Sequence, residues 1–145
     1  MKMRVMIVLS VLGTMVAPAA LRAQTPEQEV LQVVNTLFDG MREKDEAKLR
    51  SVFHRNARLG MEGVDGFINS VVNGAALLDE VTFDEEVRID GPLAMAWTPY
   101  NLFVNGNFQH CGVDVFVMQR GEDGWKIVQL NDTRRTEGCD PERRN

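Results

Sequence analysis

Metal-ligating and nucleophilic side chains are scarce in this chain of 145 residues. Its two histidines, His54 and His110, and its two cysteines, Cys111 and Cys139, stand at no metal-ligand spacing. No GxSxG elbow, glycine-rich phosphate loop or dinucleotide fingerprint occurs. Serine-hydrolase, P-loop and Rossmann chemistry are therefore excluded, and neither a metal nor a cofactor is expected. Basic residues are also in the minority, 16 Lys and Arg against 21 Asp and Glu. An acidic chain repels phosphate backbones, and its basic residues are dispersed or sit at the extreme C-terminus, so nucleic acid is excluded as a partner. No apolar run reaches the roughly 20 residues that cross a bilayer, and no basic amphipathic helix suits a membrane surface. Repeats, low-complexity tracts and linkers are absent, which argues against a second domain.

The start of the chain is an export signal by pattern. Lys2 and Arg4 precede an apolar core from Val5 to Val16, and a small-residue exit ends at Ala23. Residues 1–23 thus read as a secretory signal peptide, with an uncleaved membrane anchor as the alternative. The remainder, residues 24–145, is expected to be one domain with a short polar tail from about residue 137. Since residues 1–23 hold Lys2, Arg4, Arg22 and no acid, that domain carries 13 basic and 21 acidic side chains, a net charge near −8. Export implies an oxidising compartment, so a disulfide between Cys111 and Cys139 is expected; two separate thiols are the alternative.

Three helices read from the first half. Thr25-Pro26-Glu27-Gln28 is a capping box with proline in the first turn, and Val30, Val34, Leu37, Phe38 and Met41 recur on one face after it. Asp45 caps a second, short helix with Leu49, Val52 and Phe53 inward, ending near His54. A short strand over Ala57–Met61 precedes a third helix over Gly63–Asn73, closed by Gly74. Residues 81–90 alternate as one half-exposed strand. Three long strands then run from Leu93 to Arg135, punctuated by Asn105-Gly106 and by Arg120 to Gly124. The order predicted is α-α-β-α-β-β-β-β, an α+β domain with helices on one face of an antiparallel sheet.

That order, with VVNTLFDGMREKDEAKLRSVFHRNARL early and GEDGWKIVQLNDTRR late, resembles the nuclear transport factor 2-like (NTF2-like) superfamily. More narrowly it is similar to small exported bacterial proteins of the SnoaL-like or "putative lumazine-binding" type. The resemblance implies a cystatin-like cone, in which a curved sheet wraps around helices and leaves a pocket at the wide end, and a homodimer built on the sheet. It implies no single activity, because the superfamily hosts isomerases, dehydratases, cyclases and binders alike. The ketosteroid isomerase mechanism of that superfamily is not implied, because the only tyrosine, Tyr100, falls on a strand.

A register counted from the two turns, with no bulge, sets Trp97 opposite Asp114 and Asn131, and Asn101 opposite His110 and Arg135. One face would then grade from Met95, Phe116 and Met118 to a polar mouth, and ligand contacts are expected from Trp97, Asn101, His110, Asp114, Phe116 and Asn131. The other face would hold Ala94, Ala96, Val113, Val115, Val117, Val128 and Leu130, and Tyr100, three residues from Trp97, points to the face opposite that tryptophan, toward the helices or a dimer partner. Asp114, in an apolar strand, is either a bonded structural acid or a base of raised pKa. His110 lies about 13 Å along the same strand, too far to form a dyad with it, and reads as a rim residue or proton shuttle. His54 reads as a helix-end or pocket-edge residue. The leading expectation is a periplasmic or secreted binder of a small, mostly apolar ligand. The alternatives are a cofactor-independent isomerase or dehydratase with Asp114 as base and His110 or Asn131 assisting, or a homodimeric interaction module whose pocket is filled by its own side chains.

Overall fold

The computed structural model describes residues 23–60 and 63–143. The signal-peptide expectation lies, apart from Ala23, outside the described residues, as does Met61 at the end of the expected strand. Among the described residues no helix is long and apolar enough to cross a membrane.

Helix α1, Pro26–Glu43, begins where the capping box demands. The Gln28 amide donates to Thr25 Oγ1 at 3.3 Å and the Thr25 amide donates to Gln28 Oε1 at 2.9 Å, so two otherwise orphaned donors are satisfied. It ends on Lys44 in the left-handed region, whose ammonium donates to the Gly74 carbonyl just past the third helix. Asp45 caps α2, Glu46–Val52, by accepting from the Lys48 amide. Gly40 lets α2 lie close on α1, since a Cβ there would stand 3.0 Å from the Leu49 side chain. Helix α3, Gly63–Asn73, turns Ile68 and Val71 inward.

The strands are β1 Phe53–Leu59, β2 Leu78–Thr82, β3 Glu86–Asp90, β4 Leu93–Val104, β5 Asn107–Gly121 and β6 Gly124–Arg135. They form one mixed sheet in the order β1-β6-β5-β4-β2, with β3 also paired to β4, and only β1 runs parallel to its neighbour. The expected single strand over 81–90 is two strands. It breaks at Asp84, which adopts a positive φ of 49°, and β2 starts three residues earlier, at Leu78. The first strand also starts earlier than expected, directly after α2 at Phe53. The Asn105-Gly106 turn has positive φ at both positions, 51° and 80°, as a tight hairpin requires.

Two bulges overturn the register counted from the turns. Phe103 pairs with Phe108 but Leu102 pairs with His110, so Gln109 is an extra residue on β5. On β6, Val128 is likewise extra, between Ile127 opposite Met118 and Gln129 opposite Val117. Asp114 therefore faces Thr98 and Asp132, not Trp97 and Asn131. A one-residue slip moves every side chain to the other face. Ala94, Ala96, Tyr100 and Leu130 turn inward, whereas Met95, Trp97 and Asn131 turn outward.

The inner face packs on the helices. Val30, Val34, Leu37, Phe38 and Met41 of α1 meet Ala94, Ala96, Phe116, Met118 and Ile127, with the Phe38 and Phe116 rings edge to face at 6.1 Å. The small alanines on β4 leave room for α1 to approach. Across the same face Tyr100 lies over Gly112 on the neighbouring strand and donates to the Thr133 carbonyl on β6 at 2.9 Å. Gly112 makes this crossing possible, since a Cβ there would stand 1.8 Å from Thr133 O and 2.7 Å from the Tyr100 ring.

The tail after β6 folds back over the outer face. Cys111 and Cys139 are joined with Cα atoms 5.8 Å apart, and Asn101 donates to the Asp140 and Arg143 carbonyls at 2.9 and 3.0 Å. Arg143 also pairs with Asp84 and stacks over Phe83. Asn101 is thereby fully buried, beneath the tail rather than in a pocket.

Gly112→Ala is expected to cost more than about 2 kcal/mol, because backbone as well as a ring must move to admit the methyl group. Urea unfolding of the variant beside the wild type measures it; an unchanged midpoint would contradict the crossing.

Candidate functional site

Between helices and sheet the cone stays open. A cavity of about 550 Å³ is walled on the helix side by Leu37, Phe38 and Met41 of α1 and Phe67, Ser70 and Val71 of α3. The sheet side adds apolar Leu78, Leu102 and Leu130, with Leu59 and Gly60 at the end of β1. Its polar wall is built by alternate residues of four strands: Glu80 from β2, Tyr100 from β4, His110 and Asp114 from β5, Asp132 and Arg134 from β6. The period of two places these groups, and the bulge at Gln109 selects which half of β4 and β5 joins them.

Glu80 and Asp114 form the centre of that wall. Their carboxyls are hydrogen-bonded to each other, and Asp114 keeps only 5 % of its surface exposed. Burial drives Asp114 up to about 7, assisted by Asp132 and opposed by the bond from Glu80 and by Arg134. Burial, then the charge and hydrogen bond of Asp114, hold Glu80 well above the usual carboxylate range. Two carboxyls this close cannot both ionise cheaply, so the pair retains one proton between them. The arrangement offers a carboxylic acid donor and a carboxylate acceptor side by side.

The flanking groups are tuned by the same surroundings. Arg134 Nε and Asp132 Oδ2 pair at 2.7 Å, which holds the guanidinium firmly charged. Burial and Arg134 both lower the His110 pKa, so its imidazole is neutral at pH 7. Burial, Glu80 and Asp114 push the Tyr100 phenol up, and it remains a hydrogen-bond donor to Thr133. The His110 and Tyr100 rings meet edge to face at 5.8 Å. Among the described residues no three His, Cys, Asp or Glu side chains are grouped to hold a metal ion.

Of the side chains expected to touch a ligand, the structure places His110 and Asp114 on the cavity wall. Phe116 is fully buried in the core beside Phe38, below the cavity rather than lining it. Trp97 and Asn131 lie on the outer face, Trp97 with 44 % of its surface exposed, and Asn101 lies there under the tail. His54 sits in β1, where its Nδ1 accepts from the Asn56 amide. The cavity also holds Glu80, Tyr100, Asp132 and Arg134, which the register counted from the turns does not bring to it. Two signals in the sequence pointed there: a glycine inside an otherwise apolar strand, which marks close approach of a neighbour, and the alternation Leu130, Asp132, Arg134 along β6.

Helices capped on one side by a curled sheet, with an open cone between, define a protein of the NTF2-like, cystatin-like class. The chain belongs to the family described as "Putative lumazine-binding", whose model matches residues 25–130. The match takes in Glu80, Tyr100, His110 and Asp114, while Asp132 and Arg134 lie beyond it. Among solved structures, a protein of unknown function with a cystatin-like fold from Nostoc punctiforme PCC 73102 superposes with a TM-score of 0.67 at 6 % identity, covering 77 % of this chain and 92 % of that one. A structure from Streptomyces avermitilis, titled a putative dehydratase from the NTF2-like family, superposes with a TM-score of 0.64 at 17 % identity, covering 77 % and 99 %. One from Shewanella frigidimarina NCIMB 400, titled a putative ketosteroid isomerase, gives 0.61 at 16 % identity, covering 74 % and 97 %. No curated protein matches the chain.

The raised Asp114 pKa carries a stability signature. The unfolded chain releases this proton near 4 and the folded chain near 7, so between those values the native state binds more protons than the unfolded one. Stability from this group is fully present below about pH 4 and is lost as the pH rises to about 7. Asp114→Asn should remove that slope while keeping the fold. Melting temperatures of both proteins across pH 4 to 8 test it; parallel curves would contradict the buried, shared proton.

Proposed function

We propose that this chain is an exported protein that binds a small, mostly apolar ligand in its cone. The observation that carries the reading is the open cavity of about 550 Å³, apolar on its helix wall and polar on its strand wall. That volume lies in the range of small-molecule sites, where hydrocarbon burial holds a ligand and a few fixed polar groups orient it. An interaction module with a self-filled pocket does not fit an open cone, because Trp97 and Phe116 lie elsewhere. Export to the periplasm or the medium is part of the proposal and rests on residues 1–23 and the paired cysteines.

A second reading, acid/base catalysis of the isomerase or dehydratase type, is favoured by the Glu80 and Asp114 pair. A carboxylate can take a proton from a substrate carbon while its protonated neighbour supplies one to a leaving or accepting oxygen. Asp114 would act as base with Glu80 as its partner; Asn131, on the outer face opposite Val115, has no part in this reading. The names given to the Streptomyces and Shewanella proteins belong to this chemistry class. Homodimerisation belongs to the proposal too. Leu93 and Trp97 are exposed by 53 % and 44 % on an outer face that also presents Met95, Val113, Val115 and Val117.

Native mass spectrometry of protein purified from its own periplasm tests the binding reading. The expected result is a dimer with a bound small organic molecule, which Leu102→Trp, filling the cavity, removes while the fold persists. Bare protein in every preparation, with no binding of added apolar ligands, would contradict it. Trp97→Asp is expected to convert the dimer to monomer in light scattering; an unchanged mass would place the interface elsewhere.

A further inference from the structure

Charge, more than size, decides what this cavity can accept once the cavity is taken as a ligand site, the reading on which this inference rests. Its lining holds three carboxyls, Glu80, Asp114 and Asp132, against one guanidinium, Arg134. Arg134 is already bonded to Asp132 at 2.7 Å. Among the described residues no salt bridge reaches Glu80 or Asp114. The imidazole of His110 is neutral, and the helix wall contributes Leu37, Phe38, Met41, Phe67, Ser70 and Val71, none of them charged. Near pH 7 the pair keeps one proton, so the strand wall carries about one negative charge in excess, and among the described residues the one cation lining the cavity, Arg134, is already paired with Asp132. Asp114 is also nearly out of water, where an opposite charge brought by a ligand is worth most and a like charge is rejected.

We propose that the cavity takes an organic amine: a primary or secondary alkylammonium whose N–H groups donate to the Glu80 and Asp114 carboxyls while its apolar body lies against Phe38, Phe67 and Val71. An ammonium supplies two or three donors in a compact group, and the two carboxyls offer acceptors that no cation among the described residues occupies. The neighbouring Tyr100 ring, fixed over Gly112, adds an aromatic wall beside the charge. Carboxylic acids and phosphate esters are excluded from the site by the same wall that draws the amine. Because the pair keeps a proton near neutrality, amine binding strengthens as the pH rises through about 7, with Tyr100, His110, Asp132 and Arg134 as the other titratable or charged groups facing it.

Isothermal titration of the purified full chain at pH 7.5 with 2-phenylethylamine, 2-phenylethanol and 3-phenylpropionate separates the possibilities. The amine is expected to bind at least about tenfold tighter than the alcohol, a difference of about 1.4 kcal/mol, and the acid weaker than either. The double variant Glu80→Gln, Asp114→Asn should bring the amine down to the alcohol's affinity; the three-ligand series on the wild type stands even if that variant does not fold. Alcohol or acid binding as tightly as the amine would overturn the amine class and leave the cavity as a ligand site. Full amine affinity in a folded double variant would overturn it equally. Failure of all three to bind would overturn the amine class and the ligand-site reading together.

Discussion

The extra residue at Gln109 is the constraint on which the rest of this molecule depends. It shifts β5 by one position against β4, and with that shift Tyr100 and Asp114 turn toward the helices together. Tyr100 can then reach over Gly112 to the Thr133 carbonyl, which fixes one ring across three strands. A β-bulge adds local twist and bend as well as a shift of register, so the same feature helps curl the sheet. Without it the cone would present a tryptophan and an asparagine to the helices and would put its acidic residue opposite a different partner.

Once the faces are set, the chemistry of the cavity follows from packing. Helix α1 lies close over Ala94 and Ala96 and seals the narrow end with Phe38 and Phe116, while the wide end stays open beyond Leu37, Phe67 and Val71. Asp114 is held where water is sparse, so it and Glu80 meet their charge problem by sharing a proton rather than by forming a salt bridge to an arginine. Outside, the tail stapled by Cys111 and Cys139 covers Asn101 and ties β6 to the turn between β2 and β3 through Arg143. The apolar patch around Trp97 is left bare beside it. Inner and outer faces of one sheet thus serve separate roles, a polar wall for the cavity and an apolar platform behind it.

The elements were legible in the sequence because their ends carry strong local chemistry. Thr25 and Gln28 start α1, Asp45 starts α2, and Asn105-Gly106 turns the first long hairpin, all with the geometry their residue types prefer. Asp114 was also legible as a problem, a carboxyl among valines. Its neighbours were not. A bulge leaves no compositional mark, since Gln109 and Val128 are ordinary strand residues, and each one reverses the facing of everything counted past it. Glu80 escaped for a different reason: the break at Asp84 splits what reads as one alternating strand, and the part that reaches the cavity begins three residues before that pattern does. The side chains that touch across the cone come from β2, β5 and β6, and that convergence is a property of the curled sheet rather than of any local stretch.

The carboxyl pair of Glu80 and Asp114 is thus the working wall of the cavity, and a ¹³C NMR titration of the side-chain carboxyl carbons from pH 3 to 9 tests this most directly. The two signals are expected to move together, with a proton retained to about pH 7, well above the value near 4 of an ordinary solvated carboxylate. Independent titration of both Glu80 and Asp114 near 4 would contradict the shared proton and the wall built on it.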